Sequence, residues 1–211
     1  ALQPMSENAF VEELLKDQPF IPAYFGYDVE LNRKGAPGFS ESVNNVKRLK
    51  SYDEFENGVI IIDSRNKEDF IKGHFPGAVN IKDNTKFETW LGTIVPPEKK
   101  FYLVADSAES MERLIRRAAN IGYELICKGI LVHQDHKNLT KSKSTDTEHF
   151  KKNPSEYTIV DVRNWPEIKN GKIFKDSIPM PLNEIRKRFK EIPVDKPIAV
   201  HCAGGSRSAV G

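Results

Sequence analysis

Cysteine is almost missing from this chain: 211 residues contain two, Cys127 and Cys202, far apart in sequence. No C-x-x-C pair occurs, so a zinc ribbon or a thioredoxin-type site is excluded. Two isolated thiols suit a reducing cytosol better than a disulfide framework, and a cytoplasmic location is the expectation. Long apolar runs are also absent. None approaches the roughly 18 residues of a membrane span, no secretory leader is legible at Ala1, and no membrane partner is expected. An excess of one charge is lacking too. With 32 Lys and Arg against 30 Asp and Glu, the net charge of +2 points to neither nucleic acid nor a lipid surface. What remains is a 38% hydrophobic share, enough for a core, on a length that suits one large domain or two small ones.

Residues 1–40 form a segment of their own. Phe10, Val11, Leu14 and Leu15 share a helical face. Pro19, Pro22 and the run Tyr24-Phe25-Gly26-Tyr27 are expected to break that period, and residues 32–38 to form a loop. Residues 41–132 alternate strand and helix signals. Ser51-x-x-Glu54 is a capping box. Residues 58–63 and 101–104 are continuous apolar runs typical of strands buried on both faces. Residues 78–81, 125–127 and 130–132 read as further strands. Asn66 and Gly73 bracket one helix, Phe87, Trp90 and Leu91 lie on a second, and Ser107 caps a third whose apolar stripe ends before Gly122. This order implies a parallel sheet flanked by helices. Residues 133–155 are polar and read as a linker, with His133, His136 and His149 as solvated side chains rather than metal ligands.

Residues 156–211 restart the pattern. The strand ending in Asp161-Val162-Arg163 repeats the one ending in Asp63-Ser64-Arg65, with a period near 96–98 residues. Residues 178–183 match 77–81, and 198–202 match 102–106. The fold class is therefore α/β with two copies of one domain, the second truncated at Gly211. The chemistry concentrates where the last apolar run meets a loop, Cys202-Ala203-Gly204-Gly205-Ser206-Arg207-Ser208. A thiol reacts as its thiolate, so its pKa of about 8.5 must fall. Gly204 and Gly205 let backbone N–H groups converge on the sulfur. Ser206 and Ser208 offer hydroxyls, a helix starting near Ser208 would add its positive end, and Arg207 supplies a fixed charge for an oxyanion. His201 precedes the cysteine on the strand and is assigned a structural role; Cys127 reads as a small buried hydrophobe.

The Cys202–Ser208 loop resembles the active-site loop of rhodanese sulfurtransferases. Asp63-Ser64-Arg65, Glu68, Phe70, Gly73-His74-Phe75-Pro76-Gly77-Ala78 and Asn80-Ile81 match that family, as does Asp161-Val162-Arg163 in the second copy. The resemblance implies tandem rhodanese-like domains with parallel sheets flanked by helices. Residues 41–132 would be an inactive copy and 156–211 the N-terminal half of an active-type one. Cys202 would be the catalytic nucleophile, with Ala203, Gly204, Gly205, Ser206, Arg207 and Ser208 as the loop that holds its persulfide. Thiosulfate or a low-molecular-weight persulfide is the implied donor, and a thiol the acceptor. The C-x4-R spacing separates this loop from the larger C-x5-R loop of related phosphatases, the less favoured alternative together with a non-catalytic scaffold. In the first copy Asp106 is aligned with Cys202, Glu109 with a glycine and Met111 with the arginine, which leaves no nucleophile.

The N-terminal run Phe10-Val11-x-x-Leu14-Leu15, Gln18-Pro19-Phe20-Ile21-Pro22-Ala23-Tyr24-Phe25 and Asn32-Arg33-x-Gly35-Ala36 resembles the end of metallo-β-lactamase-fold persulfide dioxygenases. Residues 1–40 would be the tail of that domain in a bacterial sulfide-detoxifying fusion. The iron-binding His/Asp motif of that family is absent, so this chain is expected to hold no metal or cofactor, with non-haem iron only in a dioxygenase body outside it. A homo-oligomer is left open.

Overall fold

A computed structural model describes residues 4–16, 20–142 and 146–211, apart from the Ser206 side chain. Expectations that fall on Ala1, Gln18, Pro19 and the Ser206 hydroxyl lie outside the described residues.

Helix α1 (Glu7–Leu15) is capped by the Ser6 side chain. Its predicted apolar face buries nothing: Phe10 is 49% and Leu15 63% exposed. The stretch expected to break the helical period is instead helix α2 (Ala23–Lys34), entered through the extended backbone of Pro22. Pro22 starts this helix rather than interrupting one. Tyr24, Tyr27 and Leu31 form its docking stripe on the first unit. Tyr24 closes so tightly on Gly92 that a Cβ there would lie 2.2 Å from the tyrosine ring. Gly122, at φ +66°, receives Leu31 and Tyr27, and the Tyr27 hydroxyl donates to the Gly122 carbonyl at 3.1 Å. Helix α3 (Phe39–Asn45) follows.

The first unit runs β1 (Arg48–Leu49), β2 (Ile60–Asp63), α4 (Lys67–Lys72), β3 (Ala78–Asn80), α5 (Phe87–Ile94), β4 (Phe101–Ala105), α6 (Ala108–Ala119) and β5 (Cys127–Val132). The sheet order is β1-β5-β4-β2-β3, all parallel. Every residue of β4 is buried, as its unbroken apolar run requires. The Ser51–Glu54 capping box forms on a single 3₁₀ turn. Asn66 occupies the N-cap of α4 without a side-chain bond. Residues 125–127 and 130–132 are not two strands: Leu125 ends a 3₁₀ turn, Ile126 is its C-cap, and Cys127 and residues 130–132 lie in the single strand β5.

The second unit runs α7 (Thr147–Lys152), β6 (Thr158–Asp161), α8 (Trp165–Lys169), β7 (Ile178–Pro179), α9 (Ile185–Arg188), β8 (Ile198–His201) and α10 (Ser206–Val210). Its parallel sheet has the order β7-β6-β8, the counterpart of β3-β2-β4. Among the described residues no strand lies beside β8 on the side where β5 covers β4. One hydrophobic cluster joins the units, running from Ile62, Ile81 and Ile94 to Val160, Val162, Met180 and Leu182. No described helix is long and apolar enough to cross a membrane.

The segment read as a solvated linker packs on both units. Thr140 bridges His74 through two backbone bonds of 2.8 and 2.9 Å. The rings of His133 and His136 lie against Phe75, and His136 also against Tyr52. Asp146 caps α7, whose Phe150 packs edge-on against Tyr157 and Phe174. His149 sits on α7 beside the Tyr157 hydroxyl, 3.2 Å away. Composition suggested solvent because the aromatic partners of His133 and His136, Tyr52 and Phe75, lie in a distant part of the chain and leave no local trace.

Candidate active site

Both units anchor their central strand with the same buried device. The Asp161 carboxylate accepts two bonds from Arg163 Nε and one of 2.7 Å from Nη2, which also donates to the Gly171 carbonyl. Asp63, Arg65 and the Gly73 carbonyl repeat it. The Asp-x-Arg signature is thus a fork clamped on its own strand end and on the loop after the next helix. Next to Asp161, β8 delivers His201. Its Nε2 stands 3.7 Å from Asp161, its ring meets Phe174 edge-on, and both ring nitrogens are buried without a hydrogen bond. Burial first, and Arg163 as well, depress its pKa against the pull of Asp161. The His201 ring is thus packed between Asp161 and Phe174.

Cys202 follows at the end of β8. The chain turns through Ala203 and Gly204 to Gly205, at φ +83°, where a side chain would be strained. Helix α10 begins at Ser206, two residues earlier than expected. The Gly205 N–H donates to Cys202 Sγ at 3.0 Å, and the Ser208 hydroxyl lies 3.7 Å from the sulfur. Burial pushes the thiol up most strongly. The Ser208 backbone and hydroxyl, with the N–H groups of Gly204 and Arg207, together outweigh it and hold the thiol below its ordinary value. Ser208 also donates to the Gly205 carbonyl at 3.1 Å. Its single proton can serve either that carbonyl or a thiolate, so ionisation of Cys202 is met by rotation of one hydroxyl.

Arg207 does not stand free. Its guanidinium forks onto Glu167, with Nη2 donating to Oε1 at 2.8 Å and Nη1 to Oε2. Glu167 Oε2 also accepts the Asn164 N–H at 3.1 Å. Arg207 foremost holds the Glu167 carboxyl down at about 2. The pattern Asn164-x-x-Glu167 marks a helix start in sequence, but nothing local marks its partner 40 residues on. Cys202, Ala203, Gly204, Glu167, Asn164 and Arg207 line a cleft of about 660 Å³ whose opposite wall is Asn84, Thr85, Lys86 and Trp90 of the first unit. That wall was not anticipated.

The first copy's loop needs a corrected alignment. In the sheets His201 pairs with Asp161, and Val104 pairs with Asp63. Ala105, not Asp106, therefore stands where Cys202 stands. Ser110 donates to the Ser107 carbonyl as Ser208 does to that of Gly205, so Glu109, not Met111, occupies the place of Arg207. Asp106 and Ser107 alone connect β4 to α6, one residue fewer than Ala203, Gly204 and Gly205. The loop is shorter, lacks sulfur and reverses the charge. A similar slip affects β7, where Pro179 takes the place of Asn80 beside the aspartate. Cys127 lies apart from the cleft at the start of β5, its thiol pushed up to about 12 by burial. The described residues hold no cluster of three or more His, Cys, Asp or Glu placed for a metal ion.

A duplicated α/β unit, with a cysteine loop in one copy and an altered loop in the other, defines the class of this protein. The chain matches the rhodanese-like domain family over residues 46–130 and 146–211, and it belongs to that family. No curated protein matches it in sequence. Among solved structures it is similar to a metallo-beta-lactamase from Staphylococcus aureus (21% identity, TM-score 0.48), covering 62% of this chain and 36% of that one. It is also similar to a thiosulfate sulfurtransferase from Pseudomonas aeruginosa (16%, TM-score 0.29; 81% of this chain, 35% of that one). A third is SseA from Escherichia coli, described as a 3-mercaptopyruvate sulfotransferase (15%, TM-score 0.31; 82% and 88%). The chain thus spans about a third of the length of the first two.

Proposed function

We propose that the second unit is a sulfurtransferase working through a persulfide on Cys202. The observation that carries this reading is the sulfur cradle: Gly205 N–H at 3.0 Å and the Ser208 hydroxyl at 3.7 Å from Sγ, on a thiol held below its ordinary pKa. The thiolate attacks the outer sulfur of thiosulfate or of a persulfide. A new S–S bond forms, the donor's S–S bond breaks, and sulfite or a thiolate leaves with the electron pair. The terminal sulfur of Cys202–S–S⁻ then sits among the N–H groups that held the thiolate. An acceptor thiolate attacks that sulfur and Cys202 departs as thiolate, so no net redox change is needed.

The loop charge supports sulfur over phosphate chemistry. Arg207 is forked on Glu167, which would compete with a phosphate for the same donors. The reading also places the chain in a longer persulfide-oxidising fusion, supported only by the resemblance of the N-terminal run. Incubation with thiosulfate should add the mass of one sulfur atom to the intact protein, reversibly by a thiol, and Cys202→Ser should abolish the gain while Cys127→Ser keeps it. A non-catalytic module would show no gain at all, and a phosphatase would hydrolyse a phosphotyrosine mimic instead.

A further inference from the structure

The cleft over Cys202 is half built by the unit that lacks a nucleophile. Its charges are unevenly compensated. On the second unit, Glu167 and Arg207 neutralise one another. On the first, the acidic neighbours of Lys86 are taken up by α6: Asp83 by Arg113 at 2.8 Å and Arg117 at 2.7 Å, and Glu88 by Arg117. Among the described residues Lys86 itself enters no ion pair, and it lines the cleft. Its backbone is fixed, because the Asn84 side chain accepts the Lys86 N–H at 2.9 Å. One turn on, Trp90 lies on the same face of α5 and lines the same cleft, and its Nε1 is buried without an acceptor. A buried donor left open is unusual enough to call for a partner. An unpaired cation and an indole with an unused N–H, four residues apart on residues that line the nucleophile's cleft, supply the donors an oxyanion would need.

We infer that Lys86 and the Trp90 indole N–H of the silent unit bind the anionic end of the sulfur donor, so that donor selectivity resides in one copy and chemistry in the other. This rests on the sulfurtransferase reading. The shared chemistry is an oxyanion attached to the donor of sulfane sulfur: the sulfonate end of thiosulfate or the carboxylates of glutathione persulfide.

The test compares thiosulfate, glutathione persulfide and the uncharged donor dimethyl trisulfide on the whole chain. Lys86→Met should raise KM for the anionic donors roughly tenfold with kcat retained, and leave the uncharged donor unaffected. Lys86→Arg should restore much of the loss, and Trp90→Phe should give a smaller rise. A rise confined to thiosulfate assigns the site to the sulfonate, and one confined to glutathione persulfide assigns it to carboxylates. Equal KM values in Lys86→Met, or parallel loss with all three donors, overturn the inference. A binding readout separates it from the reading beneath it. In a Cys202→Ser, Trp165→Phe background Trp90 is the sole tryptophan, and its emission reports titration with thiosulfate. Weakened binding on adding Lys86→Met supports the anion site even if no persulfide ever forms on Cys202. Unchanged binding overturns it even if one does.

Discussion

Ser208→Ala removes one hydroxyl from the sulfur cradle and leaves the backbone donors in place. A hydrogen bond to a charged group contributes about 1.5–3 kcal/mol. The 3.7 Å separation between Oγ and Sγ is long, and places this one at the weak end. About 1.5 kcal/mol corresponds to roughly one pKa unit, so the Cys202 thiol should titrate about one unit higher in the variant. The direction of its coupling to stability follows from the lowered folded-state pKa. The thiolate's contribution is complete above the unfolded value of about 8.5 and is lost as pH falls through the folded value. The destabilisation caused by Ser208→Ala should therefore grow from acid to alkaline pH, above a constant loss from the broken Gly205 cap. The assay is the pH dependence of alkylation by iodoacetamide, read by peptide mass. Cys127 serves as an internal control because burial holds its thiol up at about 12. An unshifted midpoint in Ser208→Ala would show that the backbone N–H groups alone set the nucleophile's pKa, and the account of the hydroxyl would be wrong.

Arg163→Ala leaves the Asp161 carboxylate, fully buried, without its partner. The loss should be about 3–5 kcal/mol, seen as a large fall in Tm, with a similar loss for Arg65→Ala in the first unit. Gly92→Ala puts a Cβ 2.2 Å from the Tyr24 ring; overpacking should cost about 1–3 kcal/mol, and Tyr24→Ala in the same chain should offset part of the Tm loss. Glu167 keeps its charge down to about 2, so its pairing with Arg207 stabilises the fold above its ordinary value of about 4.3 and loses that effect as pH falls toward 2. Glu167→Gln should flatten acid unfolding in that window, measured by circular dichroism. Ala105→Cys should create no second sulfur-accepting site by mass, because the loop there is one residue too short and carries Glu109 where Arg207 stands.

The strands were legible because β2, β4 and β6 are continuous apolar runs bounded by turn residues, and the Asp-x-Arg repeat exposed the duplication without a structure. Helix α2 was misread because prolines and clustered aromatics suggest a loop, whereas Tyr24, Tyr27 and Leu31 carry a helical period that only their docking partners make visible. The cysteine loop was found from composition and spacing. Its counterpart was misaligned, by one residue at the cysteine and by two at the arginine, because the repeat spacing drifts along the chain, and strand register is needed to fix the count. The Glu167 fork on Arg207 and the wall of Lys86 and Trp90 are contacts between distant segments, which leave no periodic signal behind.

The two copies divide their charged residues in a way that accounts for the asymmetry of the loops. In the first, α6 is tied to the turn after β3 by Arg113 and Arg117 on Asp83 and to α5 by Arg117 on Glu88, and Ser107 with Ser110 closes the loop on itself by reciprocal capping. The Ser107 N–H donates to the Ser110 hydroxyl and the Ser110 N–H to the Ser107 hydroxyl, so both donors are used within the loop. In the second, Gly205 replaces the capping serine, and its N–H points at a sulfur instead of a side-chain oxygen. Loss of the cap frees the backbone donors, and the one added residue makes room for an atom at their focus. A unit closed on itself can then serve as a rigid wall for its neighbour's cleft, which is the use the position of Lys86 and Trp90 makes of it.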